Sequence, residues 1–383
     1  MKKRASNIEL LRIVAMFMIV ASHFACHGVQ HCNDTVNAYK IWETGSIFNK
    51  LFVSFLTPGG MVGVACFFMI TGYFNIDKKK FSLKKVLLQG SFYGIFSVFV
   101  LVIAKLLKYN FTDIDYSVLF STAVKSIFVP ITNGGVWWFL TAYVYLMFLT
   151  PFLNAVVQKL NKKGYMFFIL VIWFIIYSLD GTLSGLYWSV QRGVMFYLIG
   201  GYIKTYVDIK NITQKGKVLL FITAVSSWIV DFVLMFCVDE KRYIINNQIS
   251  NMIDTIYVML GNGIILAVPV VICSIAIFIL FLSFDFENKF VNNIAKTTFG
   301  IYLIHDSIFA RSFIWHGIFK VDTVLYSKTL FPIYAICSVI IVFAVCALID
   351  MIRIKFIEPN MTKFIDNIME KVRRQFYKEN VSS

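Results

Sequence analysis

Three ionisable side chains stand in one apolar stretch near the start of the chain, Asn7-Ile-Glu-Leu-Leu-Arg-Ile-Val-Ala-Met-Phe-Met-Ile-Val-Ala-Ser-His23. A charge at bilayer depth costs at least ~2.5 kcal/mol on insertion scales, so each such group is a candidate for function. Glu9 and Arg12 are three residues apart and can meet on one helix face, where they partly neutralise each other. Arg12 and His23 are separated by close to three full turns, so they share that face roughly 16 Å apart along the axis. A cation at one end and an imidazole at the other could serve anion binding and proton transfer. Glu9 and Arg12 could equally snorkel to the headgroups, with His23 at the opposite interface. His305 is the second focus, in Thr297-Thr-Phe-Gly-Ile-Tyr-Leu-Ile-His305, with Asp306 beside it. A structural histidine bonded to a neighbouring helix is the competing reading there. Asp231, inside another apolar stretch, needs a partner that Arg192 or Arg311 could supply.

The cluster His23, Cys26, His27, His31 and Cys32 has helical spacing compatible with metal ligands, but it matches no standard zinc spacing and crosses a helix end. No metal is expected. There is no GxSxG elbow and no phosphate-binding glycine loop.

These residues sit in an apolar chain. Of 383 residues 58% are hydrophobic and only 15% charged, a balance that points to lipid as the solvent. The apolar residues come in blocks, and lipid leaves no partner for an unpaired backbone amide, so the blocks read as helices. The expected fold is all-α, a polytopic membrane protein of about ten transmembrane helices. They are placed near 8–26, 51–75, 86–107, 134–157, 165–180, 188–203, 218–238, 253–283, 297–318 and 329–350. No cleavable leader is read at the front, because His, Cys and Asn follow the first apolar block.

The net charge of +15 has a topological reading rather than a nucleic-acid one. With the N-terminus inside, 24 of the 36 Lys and Arg fall in cytoplasmic segments and 8 in outer ones. Both termini are therefore expected in the cytoplasm, with the bilayer as the main partner and no nucleic acid. Cys66, Cys273, Cys337 and Cys346 sit in apolar helices as small hydrophobes. Cys26 and Cys32 flank the first outer loop and could pair in an oxidising compartment. Residues 353–383 read as a basic tail distinct from the membrane domain, 1–352. In it Phe364, Ile365, Ile368, Met369, Val372 and Phe376 gather on one helix face, with Pro359 separating the segment from the last span.

Four motifs in order resemble the acyltransferase-3 family of membrane O-acyltransferases. Glu9-Leu-Leu-Arg12 followed by His23 is similar to that family's first helix. Pro58-Gly-Gly-Met-Val-Gly-Val-Ala-Cys-Phe-Phe-Met-Ile-Thr-Gly-Tyr73-Phe resembles its glycine-rich second helix. Trp137-Trp-Phe-Leu-Thr-Ala-Tyr143 running to Pro151-Phe-Leu-Asn154 is similar to its fourth, and Phe299-Gly-Ile-Tyr-Leu-Ile-His305 to its late Tyr-Leu-x-His motif. Where many members carry paired arginines, this chain has Lys84-Lys85, which attract phosphate as point charges but lack the bidentate fork.

The resemblance implies transfer of an acyl group, acetyl in the usual case, from cytoplasmic acetyl-CoA to a hydroxyl of a cell-surface glycan or its lipid-linked precursor. It implies a bacterial cytoplasmic membrane protein in which His23 is the general base. Arg12, Lys84 and Lys85 would hold the donor, with Glu9 and His305 in supporting catalytic roles. A transporter or flippase of lipid-linked sugars is the alternative, and the absence of a repeat relating the two halves counts against it. Nothing in the sequence sets an oligomeric state.

Overall fold

The computed structural model describes residues 5–30, 41–109, 115–131, 136–178, 186–247, 264–321 and 328–381, and the described residues form helices without strands. In chain order they are α1 (Ser6–His23), α2 (Ile41–Thr44), α3 (Ile47–Leu56), α4 (Pro58–Asn75), α5 (Lys84–Leu106), α6 (Tyr116–Phe128), α7 (Trp138–Val157) and α8 (Lys162–Ser178). They continue as α9 (Leu186–Tyr206), α10 (Gln214–Asn247), α11 (Ile264–Leu282), α12 (Lys289–Ala295), α13 (Thr298–His305), α14 (Phe331–Ile352) and α15 (Glu358–Val381). Among the described residues, six stretches are long and apolar enough to cross a membrane: Ser6–Val29, Ile47–Asn75, Lys84–Leu106, Trp138–Val157, Gln214–Cys237 and Phe331–Lys371. The chain is a multi-pass membrane protein.

α1 occupies the middle of the bundle. It packs against α3, α4, α11, α12, α13 and α14, and Leu11, Ala15 and Val20 on it are fully buried. Its start is pinned by Asn7, whose side-chain amide donates to the carbonyl of Phe284 at 2.7 Å, just beyond the end of α11. Ser6 adds a bond to Asn292 on α12 at 2.9 Å. α4 and α9 touch backbone to backbone. A Cβ at Gly72 would lie 1.9 Å from the Tyr197 carbonyl oxygen, and one at Gly200 would lie 2.1 Å from that of Met69. In lipid, where apolar surface gains little by associating, such close approach of small residues holds helices together.

Three expectations change. The span expected over 51–75 lies within the single crossing stretch Ile47–Asn75, but its ladder is interrupted where Pro58, with no N–H to continue α3, opens α4 at its first position. The stretch expected over 297–318 is broken after His305 and resumes as a π-helical turn, Phe313–Ile318. Pro359 does not separate the tail from the last span. The helical path runs from α14 through a π-turn, Arg353–Ile357, into α15, with Pro359 in the first turn, where its missing donor costs nothing. α6, which packs on α5, has no counterpart among the expected helices. His31 and Cys32 lie outside the described residues, as does most of the stretch 239–263 apart from the end of α10.

Candidate functional site

Two polar regions lie along α1, three turns apart. The first surrounds His23. α1 ends there and widens into a π-turn over Phe24–Val29, marked by the bond from Gln30 N–H to the Ala25 carbonyl at 2.8 Å. Such turns are rare and recur at functional sites. A matching π-turn carries His316, whose Nε2 lies 3.0 Å from the carbonyl of His27, so the two turns face each other.

His305 ends α13. Its Nδ1 lies 2.6 Å from the Ile301 carbonyl, one turn back, and its Nε2 lies 3.0 Å from Nδ1 of His23. Counting donors fixes the arrangement for two neutral rings. The Ile301 oxygen can only accept, so His305 Nδ1 carries the hydrogen and Nε2 is left as an acceptor. Nδ1 of His23 must then donate to it, and Nε2 of His23 keeps an open lone pair. Asp306, with a side chain only 2% exposed, favours the same tautomer, its Oδ1 lying 3.4 Å from His23 Nδ1. That oxygen is 3.8 Å from His27 Nε2 and 3.7 Å from Arg311 Nε.

α13 is a short helix, and its last carbonyls have no partners of their own. The Trp137 indole donates to the Leu303 carbonyl at 2.9 Å, while His305 takes that of Ile301. In return the Tyr302 hydroxyl accepts the N–H of Phe139 at 3.0 Å, at the start of α7 where the first amides are likewise orphaned. The two motifs Trp137-Trp-Phe and Tyr302-Leu-Ile-His305 thus stitch α7 to α13 and hold His305 in place.

The second region is a cavity of ≈ 330 Å³ at the Arg12 end of α1, lined by Glu9, Arg12, Lys85, Gln89, Tyr143 and Lys296 among others. Nε of Arg12 is buried there without a hydrogen-bond partner. A guanidinium that lines a cavity and keeps a buried donor unsatisfied is suited to an anionic oxygen. His23 does not line this cavity, so Arg12 and His23 belong to separate parts of the site.

The expected pair Lys84 and Lys85 divides. Lys85 reaches the cavity and also pairs with Glu358 at 2.6 Å, while Lys84 pairs with Asp366 of α15. Glu358 is shared with Arg353 at 2.9 Å, and Arg353 donates to Asp350 at 2.6 Å. Asp350 is fully buried and accepts from the Tyr93 hydroxyl at 2.5 Å. This network is not among the expected sites, although Asp350 at the end of an apolar span with Arg353 three residues on is a visible signal. Asp231 is buried, as expected of an intramembrane carboxylate, and Arg311 lies with Asp306 instead.

A sequence model of the family described as an acyltransferase domain, Acyl_transf_3, matches residues 6–351. No curated protein and no solved structure matches the chain.

Proposed function

The chain belongs to the acyltransferase-3 family, and we propose that it moves an acetyl group from cytoplasmic acetyl-CoA to a hydroxyl of a cell-surface polysaccharide or of its lipid-linked precursor. The observation that carries this reading is the division of labour along α1, with a cavity-lining guanidinium whose Nε is unsatisfied at one end and an imidazole with a free lone pair at the other.

An alcohol is a poor nucleophile at neutral pH, so its proton must leave as it attacks. His23 Nε2 takes that proton while the hydroxyl oxygen bonds to the thioester carbonyl carbon. His23 Nδ1–H, held by His305 and faced by Asp306, stabilises the imidazolium that forms. Negative charge collects on the carbonyl oxygen of the tetrahedral intermediate. Collapse breaks the carbon–sulfur bond, and the thiolate takes the proton back from His23. Arg12 holds a donor phosphate, and Lys85 draws the donor's phosphates to the cavity. The pantetheine arm must then run along α1, since Arg12 and His23 are roughly 16 Å apart along the axis.

In this reading the chain crosses the bacterial cytoplasmic membrane ten times with both ends in the cytoplasm, supported by the threefold excess of Lys and Arg on one side. Residues 1–352 form the catalytic membrane domain, and 353–383 form a basic amphipathic tail. The test is direct. Surface glycans from cells with the intact chain should gain one acetyl group per modified sugar relative to cells carrying His23→Ala, and purified protein should consume acetyl-CoA. Identical glycans in the two strains would reject the assignment.

A further inference from the structure

The four histidines described here gather at one end of the bundle, and their arrangement has a second use. His23, His27 and Asp306 each offer a ligand atom, and all three atoms lie within 4.8 Å of one another. In a tetrahedral zinc site, with bonds of about 2.0–2.1 Å, neighbouring ligand atoms stand about 3.4 Å apart. The separations here are 3.4 Å from Asp306 Oδ1 to His23 Nδ1 and 3.8 Å to His27 Nε2. The Asp306 oxygen supplies a second, independent sign. It is buried and accepts no hydrogen bond, so a carboxylate oxygen has been taken out of water and aimed at this cluster without a donor. His305 falls outside this set; its Nδ1 faces the Ile301 carbonyl, and its Nε2 lone pair, 3.0 Å from the His23 ligand atom, can accept from a water in the fourth position.

We propose that His23, His27 and Asp306 form a binding site for a divalent ion of the zinc class, with the fourth position left to water. Arg311 is the present cation of this cluster. Its Nε lies 3.7 Å from the same Asp306 oxygen, and one terminal nitrogen lies 3.3 and 3.4 Å from the ring nitrogens of His27. An entering ion displaces that guanidinium and competes with it for the same two ligands. Access exists, because the His23 and His27 side chains remain 13% and 16% exposed. The inference goes beyond acyl transfer but bears on it, if His23 acts as proposed above. An ion on Nδ1 puts the ring hydrogen on Nε2 and removes the base, so the ion is an inhibitor and not a cofactor. Sequence spacing could not show the site, because Asp306 lies far along the chain from the His23–His27 pair.

Cobalt titrated into the purified full-length protein should bind at one equivalent and give the intense visible bands of tetrahedral Co²⁺, and zinc should bleach them. Asp306→Asn and His27→Gln should each weaken binding on the order of a thousandfold, above the roughly 10–100-fold that loss of an outer-shell partner costs. Arg311→Gln should tighten binding, because it removes the competing charge. This variant keeps all three protein ligands, so it reads the site even where a ligand variant fails to fold. No stoichiometric cobalt binding, or binding indifferent to both Asp306→Asn and Arg311→Gln, would overturn the proposal. Zinc that binds as described but leaves acyl transfer untouched would support the site and remove His23 from the role of base.

Discussion

Nδ1 of His23 and Nε2 of His305 lie 3.0 Å apart, joining the end of the first helix to the end of a short helix 282 residues later. The consequence is a fixed tautomer at His23, with its hydrogen turned toward His305 and its lone pair on the other side of the ring. His23→Ala should therefore lower kcat for acyl transfer by about 10²–10⁴-fold, the usual worth of a general base. His305→Ala should cost less, and His305→Gln should recover part of the loss, because the glutamine carbonyl can still accept from Nδ1. Transfer rates and protein levels measured side by side decide the matter. Wild-type rates in His23→Ala, or no difference between the Ala and Gln variants at His305, would dismiss the tautomer argument.

Arg12 offers a different test, on the donor side. Arg12→Lys keeps the charge but loses Nε and the planar fork. The loss should appear in kcat/KM for the acyl donor, by on the order of tenfold or more, with the acceptor KM unchanged. An effect confined to the acceptor would place Arg12 in the wrong half of the site.

Gly300 and Asp350 make a structural prediction. A Cβ at Gly300 would lie 2.1 Å from Cγ of Asp350, which is held from other directions by Tyr93 and Arg353. The carboxylate cannot retreat without breaking those bonds. Gly300→Ala should destabilise the protein by about 1–3 kcal/mol, the usual range for overpacking, and thermal unfolding in detergent should show it. An unchanged midpoint would mean that Asp350 moves freely.

Much of this organisation was legible in the sequence, for a physical reason. Lipid forbids isolated charges and unpaired amides, so apolar blocks announce helices and ionisable residues within them announce sites. Glu9, Arg12, His23 and His305 are singled out this way, and the structure brings His23 and His305 into contact while placing Glu9 and Arg12 on one cavity. What stayed hidden depends on chain crossings that no local pattern records. Asp306 looked like a neighbour of His305, but its carboxylate faces His23, His27 and Arg311. Lys84 and Lys85 looked alike, but only Lys85 reaches the cavity. The breaks at Pro58 and after His305 went unseen because hydropathy continues across them while the hydrogen-bond ladder does not.

The proposed orientation is tested by labelling. The charge asymmetry puts residues 204–217 in the cytoplasm and 239–252 outside. A membrane-impermeant thiol reagent applied to intact cells should modify Asn246→Cys and spare Asn211→Cys. The reverse pattern would invert the topology and, with it, the side from which the donor enters.

The tail gives the last prediction. α15 exposes Phe364, Ile368 and Met369, with Phe364 63% and Met369 58% accessible, and sequence spacing puts Ile365 on the same side. Lys363, Lys371 and Arg374 supply cations nearby, and the carboxylates Glu358 and Asp366 fasten the start of the helix to Lys85 and Lys84. A helix tied at the end of a spanning helix, with exposed apolar groups and basic flanks, is built to lie in the headgroup boundary of an anionic leaflet. The polar residues on its other face prevent it from crossing. A peptide of residues 361–378 should be largely unfolded in buffer, since an isolated helix of this length is marginal in water. It should turn helical on anionic vesicles and much less on neutral ones, and raised salt should weaken that response. Circular dichroism reads all three. No gain of helix on anionic vesicles would leave the segment a solvated charge run, anchored in the full chain by the ion pairs of Glu358 and Asp366 with Lys84, Lys85 and Arg353.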